Sequence, residues 1–350
     1  MIEFIDIQAV HRLEVATILS PEFTMPVPHV QNLHLIPQPI LDAMRPGWLT
    51  GHHAPRSVTI TKLFDVFVTE EGLVFTAEKK LITQSVTQHT QDECHRAFMR
   101  VQSAHSVPEI RPSALLLRKR GDHNYGHWLI EVLPKLWVAE QYMERPILVV
   151  PELSAAMTHV VRDSIALSSH HQPEFLTMRN DDVCFFKELV MVNGLTDHGV
   201  YMSPLVFGRT DAMRACVPDG SPQNLYVKRS NSKRQLTDYA DIEAMLNRHG
   251  FKGVDPSELT LLEQIKVFKA ARTVVGVMGA GLTNIAFCSP STKIITLAPA
   301  TMLDTFFAFI AALRGLDYHE LRGPMQEEQT TGWDEPFSIM PSQLEALLAA

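Results

Sequence analysis

Three groups of residues have types and spacings that can do chemistry. The segment Gly121-Asp-His-Asn-Tyr-Gly-His-Trp-Leu-Ile-Glu131 gathers ionisable and aromatic side chains ahead of an apolar run. His127 and Glu131 stand four apart, so on a helix they share a face and can hydrogen-bond. A histidine oriented by a carboxylate, or a carboxylate with a raised pKa, is a general base. A capping and packing role for the same pair fits the spacing equally well. His123 and His127 also stand four apart, but a zinc pair at that spacing needs a third ligand and an intervening glutamate, and neither is evident. No metal is therefore expected here.

The second group is Lys228-Arg-Ser-Asn-Ser-Lys-Arg234, with four cations in seven positions and no acid between Asp219 and Asp238. It follows a strand-like run and precedes a helix, which places it at the carboxyl end of a strand, where open α/β sheets bind ligands. Arginine offers a planar fork and lysine a point charge, both suited to phosphate. The bland reading is a solvated basic loop. The third group, Val274-Val-Gly-Val-Met-Gly-Ala-Gly-Leu-Thr-Asn284, runs from a strand through glycines into a helix start. Glycines let a backbone approach a ligand, and free N–H groups at a helix start can bind an anion. A β–α turn that binds nothing has the same appearance. Two anion-suited loops in one half of the chain favour a shared diphosphate. A dinucleotide fingerprint would need glycine at Asn284 and an acid after the next strand, which ends Thr296-Leu-Ala-Pro299, so NAD is disfavoured. No Gly-Lys-Ser/Thr follows a glycine loop, which excludes a P-loop.

The elements that must position these groups alternate. A hairpin is expected over 63–76 with its turn near Glu71-Gly72, strands at 115–118, 146–150 and 188–192, and helices over 126–143 and 154–169. Residues 1–60, rich in proline and histidine, read as irregular with short strands. After a proline- and glycine-marked boundary at 203–223, a second α/β pattern begins. Thr237 is the expected N-cap of a helix ending at Gly250, and Thr260-Leu-Leu-Glu263 has capping-box spacing. Strands at 273–278 and 293–297 flank the glycine turn, and an apolar-faced segment, 343–350, is expected to close the structure as a helix. Alternating strands and helices predict parallel sheets with helices on their faces.

The 350 residues allow one large domain or two ordinary ones. The net charge of −8 argues against nucleic acid as a partner but says nothing about a local anion site. Cys94, Cys184, Cys216 and Cys288 form neither a knuckle nor a disulfide framework, and read as reduced, mostly buried thiols of a cytosolic protein. The start lacks a secretory pattern, and no apolar run approaches the roughly 18 residues of a membrane span.

Together the motifs resemble glycosyltransferase family sixty-one, whose DUF563-like bacterial members are described as capsular polysaccharide biosynthesis proteins. The resemblance rests on Asn124-Tyr-Gly-His-Trp-Leu-Ile-Glu-Val-Leu-Pro134, Leu225-Tyr-Val-Lys-Arg229, Arg234, Gly250-Phe251, Leu259-Thr-Leu-Leu-Glu-Gln264, Gly279-Ala-Gly-Leu-Thr-Asn284 and Phe287, over about 114–300. It implies an α/β fold of two Rossmann-like domains, the type B architecture. The N-terminal acceptor-side domain is placed at 1–215 and the C-terminal nucleotide-sugar domain at 222–325. The tail 326–350 would pack back on the N-terminal domain. The resemblance also implies inverting, metal-independent transfer from a nucleotide sugar, commonly a UDP-sugar, to a glycan or lipid-linked glycan. No cofactor and no transmembrane segment are expected, and the location is cytoplasmic, at most at the inner face of the membrane. On this reading Arg229, Lys233 and Arg234 neutralise the diphosphate. Gly279, Ala280, Gly281, Leu282, Thr283 and Asn284 supply backbone donors. His127 or Glu131, facing the cleft from the other domain, deprotonates the acceptor. Two positions depart from the family pattern: Met278 stands where histidine is usual, and Thr296 near where a ribose-binding glutamate is usual. They motivate an alternative, a non-catalytic nucleotide-sugar or glycan-binding protein. An oxidoreductase reading rests on the glycine turn alone.

Overall fold

A computed structural model describes residues 2–167, 173–229, 234–325 and 334–349. Those residues form a mixed α/β protein with several sheets, ten α-helical segments and no closed barrel. The chain divides into two compact units. The first comprises Met1–Pro21, Pro55–Thr196 and Leu205–Arg209; the second comprises Glu22–Ala54, Asp197–Pro204 and Thr210–Ala350. Among the described residues no helix is long and apolar enough to cross a membrane. Cys94, Cys184 and Cys288 are buried thiols, whereas Cys216 is exposed.

The first unit is built on a ten-stranded sheet. The expected hairpin is present: Arg56–Thr69 pairs antiparallel with Val74–Thr76, with Val68 opposite Val74. The sheet is mixed, not parallel throughout. Ala114–Leu116 runs parallel to Ile147–Pro151 and Val183–Asn193, and Val183–Asn193 runs antiparallel to Arg56–Thr69. The N-terminal stretch read as irregular contains a nine-residue strand, Arg12–Ser20, paired antiparallel with Arg56–Thr69. Alternating side chains from these strands form a core around Leu63, Val66, Leu116, Val149 and Phe186.

The helix expected over 126–143 is three consecutive pieces. Tyr125–His127 is α-helical, Trp128–Val132 is a π-helical turn, and Leu133–Ala139 is α-helical again. Pro134 has no N–H to return to the preceding turn, and the Leu133 N–H reaches the Trp128 carbonyl across a wider ring.

The second unit holds a six-stranded sheet in the order Phe251–Val254, Gln223–Val227, Ala271–Val277, Lys293–Pro299, Asp317–Gly323, His29–Gln31. Every neighbouring pair is parallel. The apolar runs Val274-Val275 and Ile294-Ile295 are wholly buried, as strands covered on both faces must be. Thr260 and Glu263 form the expected capping box at the start of Leu261–Lys269. Gly250 takes φ +76° after the helix Tyr239–Arg248, whose N-cap is Asp238 and not Thr237.

Two expectations about organisation need correcting. Residues 22–54 fall in the second unit, because His29–Gln31 completes its sheet. They include a helix, Gln38–Leu49, unread because it contains Pro39 and Pro46. The closing helix, Pro341–Ala349, packs in the second unit, where Leu344 and Leu347 join Ile242, Met245 and Leu246 in its core, and Gln343 Oε1 accepts from Asn32 Nδ2 (3.0 Å) of that same early segment.

Candidate functional site

In the first unit the strand Ala114–Leu116 runs on into Leu117, whose N–H reaches the Val149 carbonyl (3.0 Å), and then into Arg118-Lys119 and the Gly121–Asn124 loop. The Asp122 carboxylate organises this loop, accepting from Arg118 Nε (2.5 Å) and from the Lys119 N–H (3.2 Å). Gly121 has φ +81°, and a Cβ there would lie 3.0 Å from His127 Cδ2, so the turn brings backbone against the imidazole. Asn124 caps the following helix, its Oδ1 accepting from the Gly126 N–H (2.9 Å). Fully buried Trp128 pins that helix, its indole N–H donating to Ser164 Oγ (3.0 Å).

The pair His127 and Glu131 meets as the spacing predicts: His127 Nδ1 hydrogen-bonds Glu131 Oε2. A third member was missed. Lys119 Nζ donates to the same carboxylate oxygen at 2.5 Å and lies 3.3 Å from His127 Nδ1. Side-chain exposure separates their roles. Lys119 and Glu131 are 5% and 2% exposed, while His127 keeps 24%. With Nδ1 committed to the carboxylate as donor, the lone pair of the imidazole sits on Nε2. Lys119 and Glu131 form a buried ion pair, and a pair of this kind is costly to break from either side. Lys135, one turn beyond Glu131, donates to the Arg118 carbonyl (3.0 Å). Burial, reinforced by the neighbouring Lys119 charge, pushes its pKa down to about 8.

In the second unit Gln223–Val227 and Ala271–Val277 lie side by side. The helix Tyr239–Arg248 leads from the first of them outward to Phe251–Val254. Leu261–Lys269 then carries the chain back across to Ala271–Val277. Connections leave these neighbours in opposite directions, which makes their carboxyl ends a topological switch point. Arg229 and the turn Met278–Gly281 sit at those ends.

Arg229 Nη1 and Arg234 Nη1 both donate to the Met278 carbonyl, at 2.9 and 2.8 Å. Gly279 makes this possible: a Cβ there would fall 1.5 Å from Arg229 Nη1. Arg234 adopts φ +68°, rare for a large side chain, and is held by Asp334, whose carbonyl accepts from its N–H (2.6 Å) and whose Oδ1 accepts from Nη2 (3.1 Å). Its buried Nε has no partner among the described residues. Burial first, and the Arg234 charge second, push the Arg229 pKa down to about 10. Two guanidiniums sharing one carbonyl repel each other, and an anion beside them relieves that repulsion.

The remaining site residues divide. Gly279, Ala280 and Gly281 are partly exposed, whereas Leu282, Thr283 and Asn284 are buried. The Asn284 amide is turned inward, donating to Gln264 Oε1 (2.8 Å) and to the Gly281 carbonyl (3.1 Å), so it fixes the turn. Lys233 lies outside the described residues. Met278 contributes its carbonyl, its side chain being fully buried. Thr296 is in register with Glu320, whose carboxylate is taken by Arg322 (2.6 Å) and by the Tyr318 hydroxyl (2.8 Å), all in the interior.

Residues 125–295, just under half of the chain, match the family model described as Glycosyltransferase 61. A 68-residue stretch, 19% of this chain, is 29% identical to Beta-1,2-xylosyltransferase RCN11 of Oryza sativa subsp. japonica and covers 13% of that protein. A 65-residue stretch is likewise 29% identical to Beta-1,2-xylosyltransferase of Arabidopsis thaliana, covering 19% of this chain and 12% of that protein. The aligned stretches thus span only about an eighth of each plant protein.

Proposed function

We propose that this protein is an inverting, metal-independent glycosyltransferase. It moves a sugar from a nucleotide sugar, a UDP-sugar first among them, to a hydroxyl of a glycan or lipid-linked glycan in cell-surface polysaccharide synthesis. It works in the cytoplasm or at the inner face of the membrane, on the two Rossmann-like domains of a type B architecture. The observation that carries the reading is that both ionic groups, His127 with Glu131 and Arg229 with Arg234, fall inside the stretch matching the Glycosyltransferase 61 model.

His127 Nε2 takes the proton of the acceptor hydroxyl, and Glu131, held by Lys119, stabilises the imidazolium that forms. The hydroxyl oxygen bonds to the anomeric carbon as the bond to the nucleoside diphosphate breaks. One displacement inverts that centre. Arg229 and Arg234, joined by Lys233, take up the charge that develops on the departing diphosphate, and the Gly279–Gly281 backbone lies beside them. A non-catalytic nucleotide-sugar or glycan-binding protein is favoured by one observation: Glu320, in register with Thr296, is locked to Arg322.

A panel of nucleotide sugars, read for both binding and turnover, tests this. His127→Ala is expected to lower kcat by about 10²–10⁴ with donor binding kept. Arg229→Ala is expected to lose donor affinity. Wild-type turnover in His127→Ala removes the base assignment, and binding without turnover across the panel favours the non-catalytic reading.

A further inference from the structure

A cavity of about 350 Å³ opens beside the two guanidiniums of the second unit. Arg229 and Arg234 line one side. Leu236, Val277 and Tyr226 make the rest an apolar wall, and all three are at most 5% exposed. Tyr239 and Gln235 complete the lining nearer solvent. The Tyr226 and Tyr239 rings lie 6.0 Å apart at 43°. Tyr239 opens the helix Tyr239–Arg248, and its hydroxyl is engaged by Glu243, which pairs with Lys228 at 2.5 Å. The ring is therefore oriented by contacts of its own unit, with no ligand required.

A site with cations at one end and a flat aromatic–aliphatic wall at the other selects among phosphorylated compounds. A second sugar ring would bury several hydroxyls against a wall whose polar groups are one amide and two phenol hydroxyls, one of them engaged by Glu243, and unpaired buried hydroxyls are costly. A nucleobase presents apolar faces and keeps its polar atoms along one edge. Stacking of a base on an aromatic side chain is worth roughly tenfold or more in affinity.

We propose that this cavity is a nucleobase subsite, in which Tyr239 stacks on the base and the Gln235 amide meets its polar edge while Arg229 and Arg234 hold the phosphates. The proposal rests on the reading of Arg229 and Arg234 as a donor-diphosphate site. It makes Tyr239 a specificity-determining residue that neither the motifs nor the family match singled out.

Calorimetry on the full chain separates the two ideas, using pyrophosphate, ribose 5-phosphate and the four ribonucleoside 5′-monophosphates as probes. At least one nucleoside monophosphate is expected to bind tenfold or more tighter than ribose 5-phosphate. Tyr239→Leu is expected to erase that margin without weakening ribose 5-phosphate, Tyr239→Phe to keep it, and Arg229→Ala to weaken every probe. A margin that survives in Tyr239→Leu, or no margin in the wild type, overturns the subsite while leaving the phosphate site standing. Failure of every probe to bind the wild type removes the donor site and the subsite together. Tyr239 is half-buried on a helix end, so the leucine variant is expected to fold, and its melting temperature checks that.

Discussion

The two ionic groups solve opposite problems. In the first unit Lys119 and Glu131 are charges of opposite sign, both out of water and within 2.5 Å of each other. In the second, Arg229 and Arg234 are charges of the same sign drawn to one carbonyl, with Asp334 beside Arg234 as the acid. The first is complete without a ligand and serves to orient an imidazole. The second, among the described residues, sets two like charges against each other, a repulsion that an anion beside them relieves. Burial alone does not tell a structural ion cluster from a binding one; the sign balance within the cluster does.

The contrast breaks most visibly by removing one member from each group. Glu131→Ala leaves Lys119 buried without its carboxylate, and is expected to cost about 3–5 kcal/mol of stability. Arg229→Ala removes one of two repelling cations while Arg234 still serves the Met278 carbonyl, and is expected to stay within about 1 kcal/mol of wild type. Denaturant midpoints of the two variants check this pair, and equal losses would dissolve the distinction.

A smaller effect reads the electrostatics of the first group through Lys135. Its folded pKa of about 8 lies below the 10.5 of a free lysine. Between those values the unfolded chain binds more protons than the folded one, so stability rises with pH. The desolvation cost is present in full below pH 8 and disappears as pH climbs toward 10.5. The difference in unfolding free energy between wild type and Lys135→Met is expected to change by on the order of 2 kcal/mol across that window. A flat difference would mean that the ammonium is hydrated.

The smallest expected change in fold, with a clear change in binding, comes from Gly279→Ala. The added methyl meets only the far end of Arg229, which can swing away, so the melting temperature is expected to hold. Affinity for a nucleoside diphosphate is expected to fall about tenfold, roughly 1.4 kcal/mol, as one guanidinium leaves its place. Unchanged affinity would separate Arg229 from the anion site.

Much of this was legible where the cause is local. Thr260 and Glu263 declare their capping box three residues apart, and Gly250 its left-handed conformation. His127 and Glu131 declare a shared face. Thr90 and Glu93 carry the same box signal at the start of Gln91–Ser103, and that helix was there to be read. What was hidden depends on pairing across distance. Lys119 reads as one more cation of Arg118-Lys119-Arg120 until the fold turns it onto Glu131, twelve residues on. Asp334 meets Arg234 across 100 residues. The helix Gln38–Leu49 was masked by its prolines: Pro39 sits in the first turn, where a missing N–H is harmless, and Pro46 falls in the last turn, where it disturbs only the end of the helix.

The edge strand His29–Gln31 has a consequence for how this chain comes off the ribosome. Its only ladder partner among the described strands is Asp317–Gly323, with His29 opposite His319. Once synthesised, His29–Gln31 must wait for Asp317–Gly323 to emerge, many seconds at ordinary elongation rates, before the second sheet can close. The ten-stranded sheet of the first unit, by contrast, has all its strands in hand once Asn193 has emerged. Vectorial synthesis therefore offers the imidazole-bearing half an early opportunity to fold, while the arginine-bearing half keeps one strand outstanding, a window in which a nascent-chain chaperone has something to hold.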